Sequence, residues 1–148
     1  RWGIDNFIAL TKLILETQTD TQILLFWSPG QVDDSHHPGD DEAANALIDA
    51  VQTNRLIPMP TQGLAELIAA LPLCDIFIGT DGGAMHLAAA INKKVLALFE
   101  NTPHKLNHWY PWQVPHRMVH APTRGKPEVG EISLPAVTQA LDDLLVKP

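Results

Sequence analysis

Two nearly continuous apolar runs, DIFIG (75–79) and VLALF (95–99), frame the segment TDGGAMHLAAAINKK. A strand reads this way when both faces of a parallel sheet are covered, because neither set of alternating side chains meets water. An alanine-rich, helix-sized stretch between two such strands implies a right-handed β-α-β crossover. Neither an all-helical bundle nor a purely antiparallel sheet supplies two buried runs joined in this way.

The rest of the chain repeats the alternation. Phe7, Leu10 and Ile14 recur at helical spacing, with Asp5 as a candidate cap, and QILLFW (22–27) is a strand ending in Ser28-Pro29-Gly30. The polar stretch QVDDSHHPGDD reads as a surface loop with His36 and His37 solvated. Ala44, Leu47, Ile48 and Val51 form a helical stripe with acids in its first turn. A short strand follows at Arg55–Met59, bounded by Pro58 and Pro60, and Leu64, Leu67, Ile68 and Leu71 mark a helix closed by Pro72. HRMVH (116–120) reads as a last strand, and Ser133 caps a final helix that turns Val137, Leu141, Leu144 and Leu145 inward. Strands are therefore expected near 23–27, 55–59, 75–79, 95–99 and 117–120, in a mainly parallel sheet with helices on both faces. The fold class is α/β, and residues 1–148 read as a single domain.

Composition limits the partners. At 148 residues and 45% hydrophobic, the chain is large enough for one sizeable core. A formal charge of -7 argues against nucleic acid, which needs clustered Lys and Arg. A phosphate site remains open, because backbone N–H groups form one without net positive charge. Cys74 is the single cysteine, so it reads as an inert core thiol. With no signal peptide and no run near the ~18 apolar residues of a membrane helix, the expected location is the cytoplasm.

The Asp81-Gly82-Gly83 turn carries the chemistry. Glycines tolerate positive φ and close approach to the backbone, and a helix begins there with unpaired N–H groups and a partial positive charge. A diphosphate fits such a place without any lysine. Asp81 sits at the carboxyl end of its strand, where it caps the helix, receives a ligand hydroxyl, or stabilises the turn. His86 is either a core-edge histidine or a ligand contact. The pairs His104/His108 and His116/His120 are spaced HxxxH. The first lies beside Pro103 and Pro111 and the second in a strand, so neither suits zinc, and no metal or cofactor is expected. Trp109-Tyr110-Pro111-Trp112 reads as a Pro-bounded loop whose rings stack on a ligand, cover the sheet edge, or face another domain.

TDGGAMHLAAAINKKVLALFENTP resembles the signature of the glycosyltransferase family 9 enzymes, the ADP-heptose:lipopolysaccharide heptosyltransferases. Their pattern is roughly Asp-(Thr/Ser)-Gly-x-x-His-Leu-Ala-Ala-Ala, then an apolar strand ending Phe-Gly-Pro-Thr. The likeness extends back through LAELIAALPLCDIFIG, forward to SLPAVTQALDDLL, and to the opening Arg1-Trp2. It implies the C-terminal, Rossmann-like half of a two-domain GT-B inverting glycosyltransferase of lipopolysaccharide core biosynthesis. By that resemblance, Asp81 and the backbone of Gly82, Gly83 and Ala84 meet the diphosphate-sugar, with His86 close by. Glu42, with Asp41 as the alternative, holds the ribose, and Gln62 lies near the adenine. The implied partners are ADP-heptose or a related nucleotide sugar, the N-terminal domain of the same enzyme, and a lipid-linked saccharide acceptor.

The sequence also departs from the pattern. Gly82 stands where the family has Thr or Ser, Glu100 replaces the Gly after Phe99, and the loop from Gly30 to Asp40 is long. The acceptor half and its catalytic base are absent, so this stretch alone is expected to bind and not to turn over. A family-like half opens with a central strand before the Arg-Trp pair, so QILLFW and DIFIG are expected to flank its place. Direct pairing of those two runs, a strand from another molecule, or upstream sequence would resolve that position, and upstream sequence is the favoured answer. Two other classes stay open: a nucleotide-binding module without catalysis, marked by Gly82 and Glu100, and an interaction domain docking through Trp109–Trp112.

Overall fold

The computed structural model describes residues 1–34, 38–123 and 126–146; His36 and His37 lie outside them. Helices and strands alternate: α1 (Ile4–Thr17), β1 (Ile23–Trp27), α2 (Asp41–Val51), β2 (Leu56–Pro60), α3 (Leu64–Ala70), β3 (Ile76–Thr80), α4 (Gly83–Ala90), β4 (Lys94–Phe99), α5 (Pro103–His108), β5 (His116–His120) and α6 (Leu134–Val146). Every ladder is parallel, and the strands form two sheets, β1-β2 and β3-β4-β5. The fold is therefore α/β, with each strand within one residue of its expected place. The runs QILLFW and DIFIG, which form β1 and β3, belong to different sheets.

The chain divides into two compact units, Ile4–Ala70 and Leu71–Pro148 with Arg1–Gly3. In the larger unit β4 is central, and Val95, Leu96, Ala97, Leu98 and Phe99 are all 0% exposed. Successive side chains of a strand point to opposite faces, so both faces of β4 are covered. Helix α4 packs on β3 and β4, and α6 packs on β4 and β5 through Val137, Leu141 and Leu144. Ser133 caps α6 by accepting from the Ala136 N–H at 3.4 Å, while Leu145 turns outward. Trp2 is fully buried in this unit and its indole N–H donates to the Ile132 carbonyl at 2.8 Å.

Strand β3 corrects one expectation. All five of its residues are half-buried, because it has one ladder partner where β4 has two. Its single glycine has a packing reason: a Cβ on Gly79 would lie 2.8 Å from the Phe77 ring, which folds over that position.

In the smaller unit, α1 and α2 pack together and α2 lies on the β1-β2 pair. Pro58 and Pro60 fit β2 as an edge strand, since proline cannot donate to a second ladder. Two local expectations change. Asp5 lies inside the first turn of α1 and does not precede it, and the α1 core is Leu10, Thr11 and Leu15. The expected α3 stripe is only partly covered: Leu71 is fully buried and Leu67 half-buried, while Leu64 is 63% and Ile68 41% exposed. Periodicity describes a helix face; what covers that face is a tertiary matter.

Candidate functional site

The Asp-Gly-Gly turn closes β3. The Asp81 N–H donates to the Leu98 carbonyl at 3.0 Å, extending the β3-β4 ladder by one bond and fixing Asp81 at the carboxyl end of the sheet. Helix α4 begins two residues later at Gly83, and among the described residues no side chain caps its first N–H groups. Gly82 is extended, at φ 166° and ψ 178°, a conformation open to any residue. Positive φ therefore does not explain these glycines. Close packing does not either: a Cβ on Gly82 would meet nothing nearer than the Thr80 carbonyl oxygen at 3.9 Å, and one on Gly83 would meet nothing within 4 Å. Both glycines are exposed. The turn could carry side chains, and it leaves bare backbone at an open helix start.

Helix α5 stands beside this turn. Lys105 places its ammonium 3.4 Å from Asp81 Oδ2 and 3.1 Å from Glu100 Oε2. Its pKa is raised, chiefly by the hydrogen bond to Glu100; desolvation opposes this, and the Asp81 bond adds to it. The Trp109 ring meets His86 edge-on, with centroids 6.0 Å apart. His86 is thus half-buried against an aromatic neighbour in the same unit as Asp81. Ala84 lies in the first turn of α4, and Met85 behind it is fully buried.

Pro103 opens a short helix and does not break one. Proline is tolerated at the first helical position, where its missing N–H would find no partner anyway. His104 and His108 therefore share a helix face, with ring centroids 5.0 Å apart. Among the described residues, no three His, Cys, Asp or Glu side chains come together as a metal site. Tyr110 stacks on His116, and Trp109, Tyr110 and Trp112 are all exposed. Cys74 is half-buried; burial pushes its thiol pKa up and Asp75 adds to this, against the opposing pull of Lys93, which makes it a poor nucleophile.

The remaining candidates lie in the smaller unit, at the carboxyl ends of β1 and β2. Asp41 uses both oxygens: Oδ1 accepts from the Trp27 indole N–H at 2.7 Å and Oδ2 from the Gly30 N–H at 2.9 Å. Glu42, next along α2, is exposed and makes no hydrogen bond or ion pair with a described residue. Gln62 is exposed, and its N–H donates to Glu66 Oε2 at 2.7 Å, which ties it to the start of α3. Thr61 donates through both N–H and hydroxyl to the Trp27 carbonyl, at 3.0 and 3.2 Å. Trp27 thus organises this strand end. Sequence reasoning missed both Trp27 and Lys105, although Thr102-Pro103 is a readable helix start that puts Lys105 in a first turn.

The frame is that of the parallel α/β proteins, a class in which ligand crevices form at the carboxyl edge of the sheet. More specifically, the family model for glycosyltransferase family 9 (heptosyltransferase) matches residues 1–135, and the chain belongs to that family. No curated protein matches it. Among solved structures it is similar to the ADP-heptose LPS heptosyltransferase II of E. coli, at 24% identity and TM-score 0.74, covering 99% of this chain and 42% of that one. A family 9 glycosyl transferase from Veillonella parvula superimposes with TM-score 0.77 at 18% identity, covering 100% of this chain and 42% of that one. The E. coli heptosyltransferase WaaC, solved with ADP, gives 0.73 at 19% identity, with 97% and 40% covered. The chain thus spans about two-fifths of the length of each. Among the described residues no helix is long and apolar enough to cross a membrane.

Proposed function

We propose that residues 1–148 form the donor-binding domain of a heptosyltransferase-like inverting glycosyltransferase acting in lipopolysaccharide core biosynthesis. The observation that carries this reading is the unfilled backbone at Gly82 and Gly83, ahead of an uncapped helix, in a chain of this family. The fold leaves that space unoccupied and has no conformational need for glycine there.

In this reading the diphosphate of an ADP-sugar lies against the N–H groups of Gly83 and Ala84, and the Asp81 carboxylate accepts a sugar hydroxyl. An acceptor hydroxyl attacks the anomeric carbon from the opposite face, and the bond to the diphosphate breaks with inversion. Charge grows on the leaving diphosphate, where the helix N-terminus stabilises it. A base must take the acceptor's proton, and in this proposal it comes from the domain that supplies the acceptor. His86 serves the donor side. Glu42 takes the ribose hydroxyls, which its lack of partners favours over Asp41, and Gln62 reaches the base. The whole enzyme works in the cytoplasm at the inner face of the membrane, on a lipid-linked saccharide.

Binding of ADP-heptose to the intact protein tests the proposal. Gly83→Val is expected to abolish affinity while leaving the circular dichroism spectrum unchanged, because its Cβ meets only the space assigned to the ligand. Asp81→Ala is expected to weaken ADP-heptose about tenfold, the scale of one hydrogen bond to a charged group. Unchanged affinity in both variants would reduce the turn to a connection. Binding without sugar transfer by the intact protein would favour the non-catalytic module.

A further inference from the structure

Glu100 puts a carboxylate beside a turn that the donor reading assigns to a diphosphate, and Asp81 already supplies one. Left alone, two negative groups near the start of α4 would oppose an anionic ligand. The loop holding Glu100 is well fixed. It follows directly on the buried Phe99, and the next residue, Asn101, donates its side-chain N–H to the Ala121 carbonyl and its backbone N–H to the Pro127 carbonyl, both at 2.8 Å. Glu100 therefore stays beside the site.

Lys105 answers that charge. Helix α5 has no buried residue, so apolar packing does not explain its position. Its ties to the strand-end turn are the Lys105 ammonium, which bridges Glu100 and Asp81, and Trp109 one turn later, which meets His86 on α4. Lys105 lies in α5 and Trp109 is the C-cap residue, whose N–H donates to the Lys105 carbonyl at 3.0 Å, so one short helix and its cap make both contacts.

We propose that Lys105 is a positioning residue of the donor site: it neutralises Glu100 and steadies the Asp81 carboxylate, so that the start of α4 accepts an anion despite the acid after β4. This inference rests on the donor-site reading above. Lys105 acts through its two carboxylate partners and is not itself assigned to the ligand.

The test is equilibrium binding of ADP, and of adenosine as the phosphate-free control, to five forms of the intact protein: unchanged, Lys105→Met, Lys105→Arg, Glu100→Gln and the double variant of Lys105→Met with Glu100→Gln. Lys105→Met is expected to weaken ADP about tenfold and adenosine by less than about twofold, the modest size reflecting an exposed, screened pair. Glu100→Gln is expected to tighten ADP slightly, and the double variant to return within about twofold of the unchanged protein. Lys105→Arg, which keeps the charge, should retain binding. Equal losses for ADP and adenosine, or no recovery in the double variant, would overturn the proposal by making Lys105 a structural residue. Unaltered ADP affinity in Lys105→Met would overturn it as well. Failure of the folded, unchanged protein to bind ADP at all would instead remove the donor-site reading, and this inference with it.

Discussion

The two strand-end turns differ in what their glycines are for. After β1 the chain is closed on itself: Asp41 grips Trp27 and Gly30, and a Cβ on Gly39 would lie 2.3 Å from the Gly30 backbone. Gly30 itself has φ 128°, a conformation that favours glycine. After β3 the glycines meet nothing, and the helix start is uncapped. One turn uses glycine because the fold demands it. The other keeps glycine where the fold would allow a side chain, the condition that the proposed donor site requires.

The largest expected effect separates the two turns by stability. Gly39→Val should cost about 3 kcal/mol, since neither backbone can retreat from the other. Gly83→Val should stay within about 0.5 kcal/mol of the unchanged protein. Urea unfolding of both variants measures this, and equal losses would erase the distinction.

The two aspartates give a smaller contrast. Asp41→Ala breaks charge-assisted bonds to the Trp27 and Gly30 N–H groups and should cost about 2 kcal/mol. Asp81→Asn gives up an ion pair to a partly exposed lysine and should change stability by less than about 0.5 kcal/mol. Thermal melts of the two variants check the order, and a more damaging Asp81→Asn would make the open turn structural after all.

The smallest effect is a pH signature. The folded pKa of Lys105 is raised above its ordinary 10.5. Its contribution to stability is therefore fully present below 10.5 and lost as pH rises through the folded value. Unfolding midpoints followed from pH 9 to above pH 11 should fall slightly more steeply for the unchanged protein than for Lys105→Met. Parallel curves would mean that the bridge to Glu100 and Asp81 adds nothing to the folded state.

Much was legible because it depends on local pattern. The apolar runs placed β1, β3 and β4, Ser133 capped α6, and TDGGAMHLAAA carried the family likeness that the match over residues 1–135 bears out. The errors share a cause. Leu64 and Ile68 obey helical spacing yet face water, DIFIG reads as fully covered yet β3 is half-buried, and Leu145 shares the inward spacing of α6 yet is exposed. Spacing states which residues share a face, while burial depends on what the rest of the chain brings there.

Alternation of helix and strand, the parallel class and the Asp-Gly-Gly turn after β3 were set by the sequence alone, through periodicity and turn residues that act within a few positions. The emptiness above Gly82 and Gly83, the grip of Asp41 on Trp27 and the bridge from Lys105 to Glu100 and Asp81 were decided by tertiary structure. Each of these joins groups from different elements, or depends on none arriving. Hydrogen bonds and ion pairs form only over a few ångströms, and no local rule places two separate elements that close.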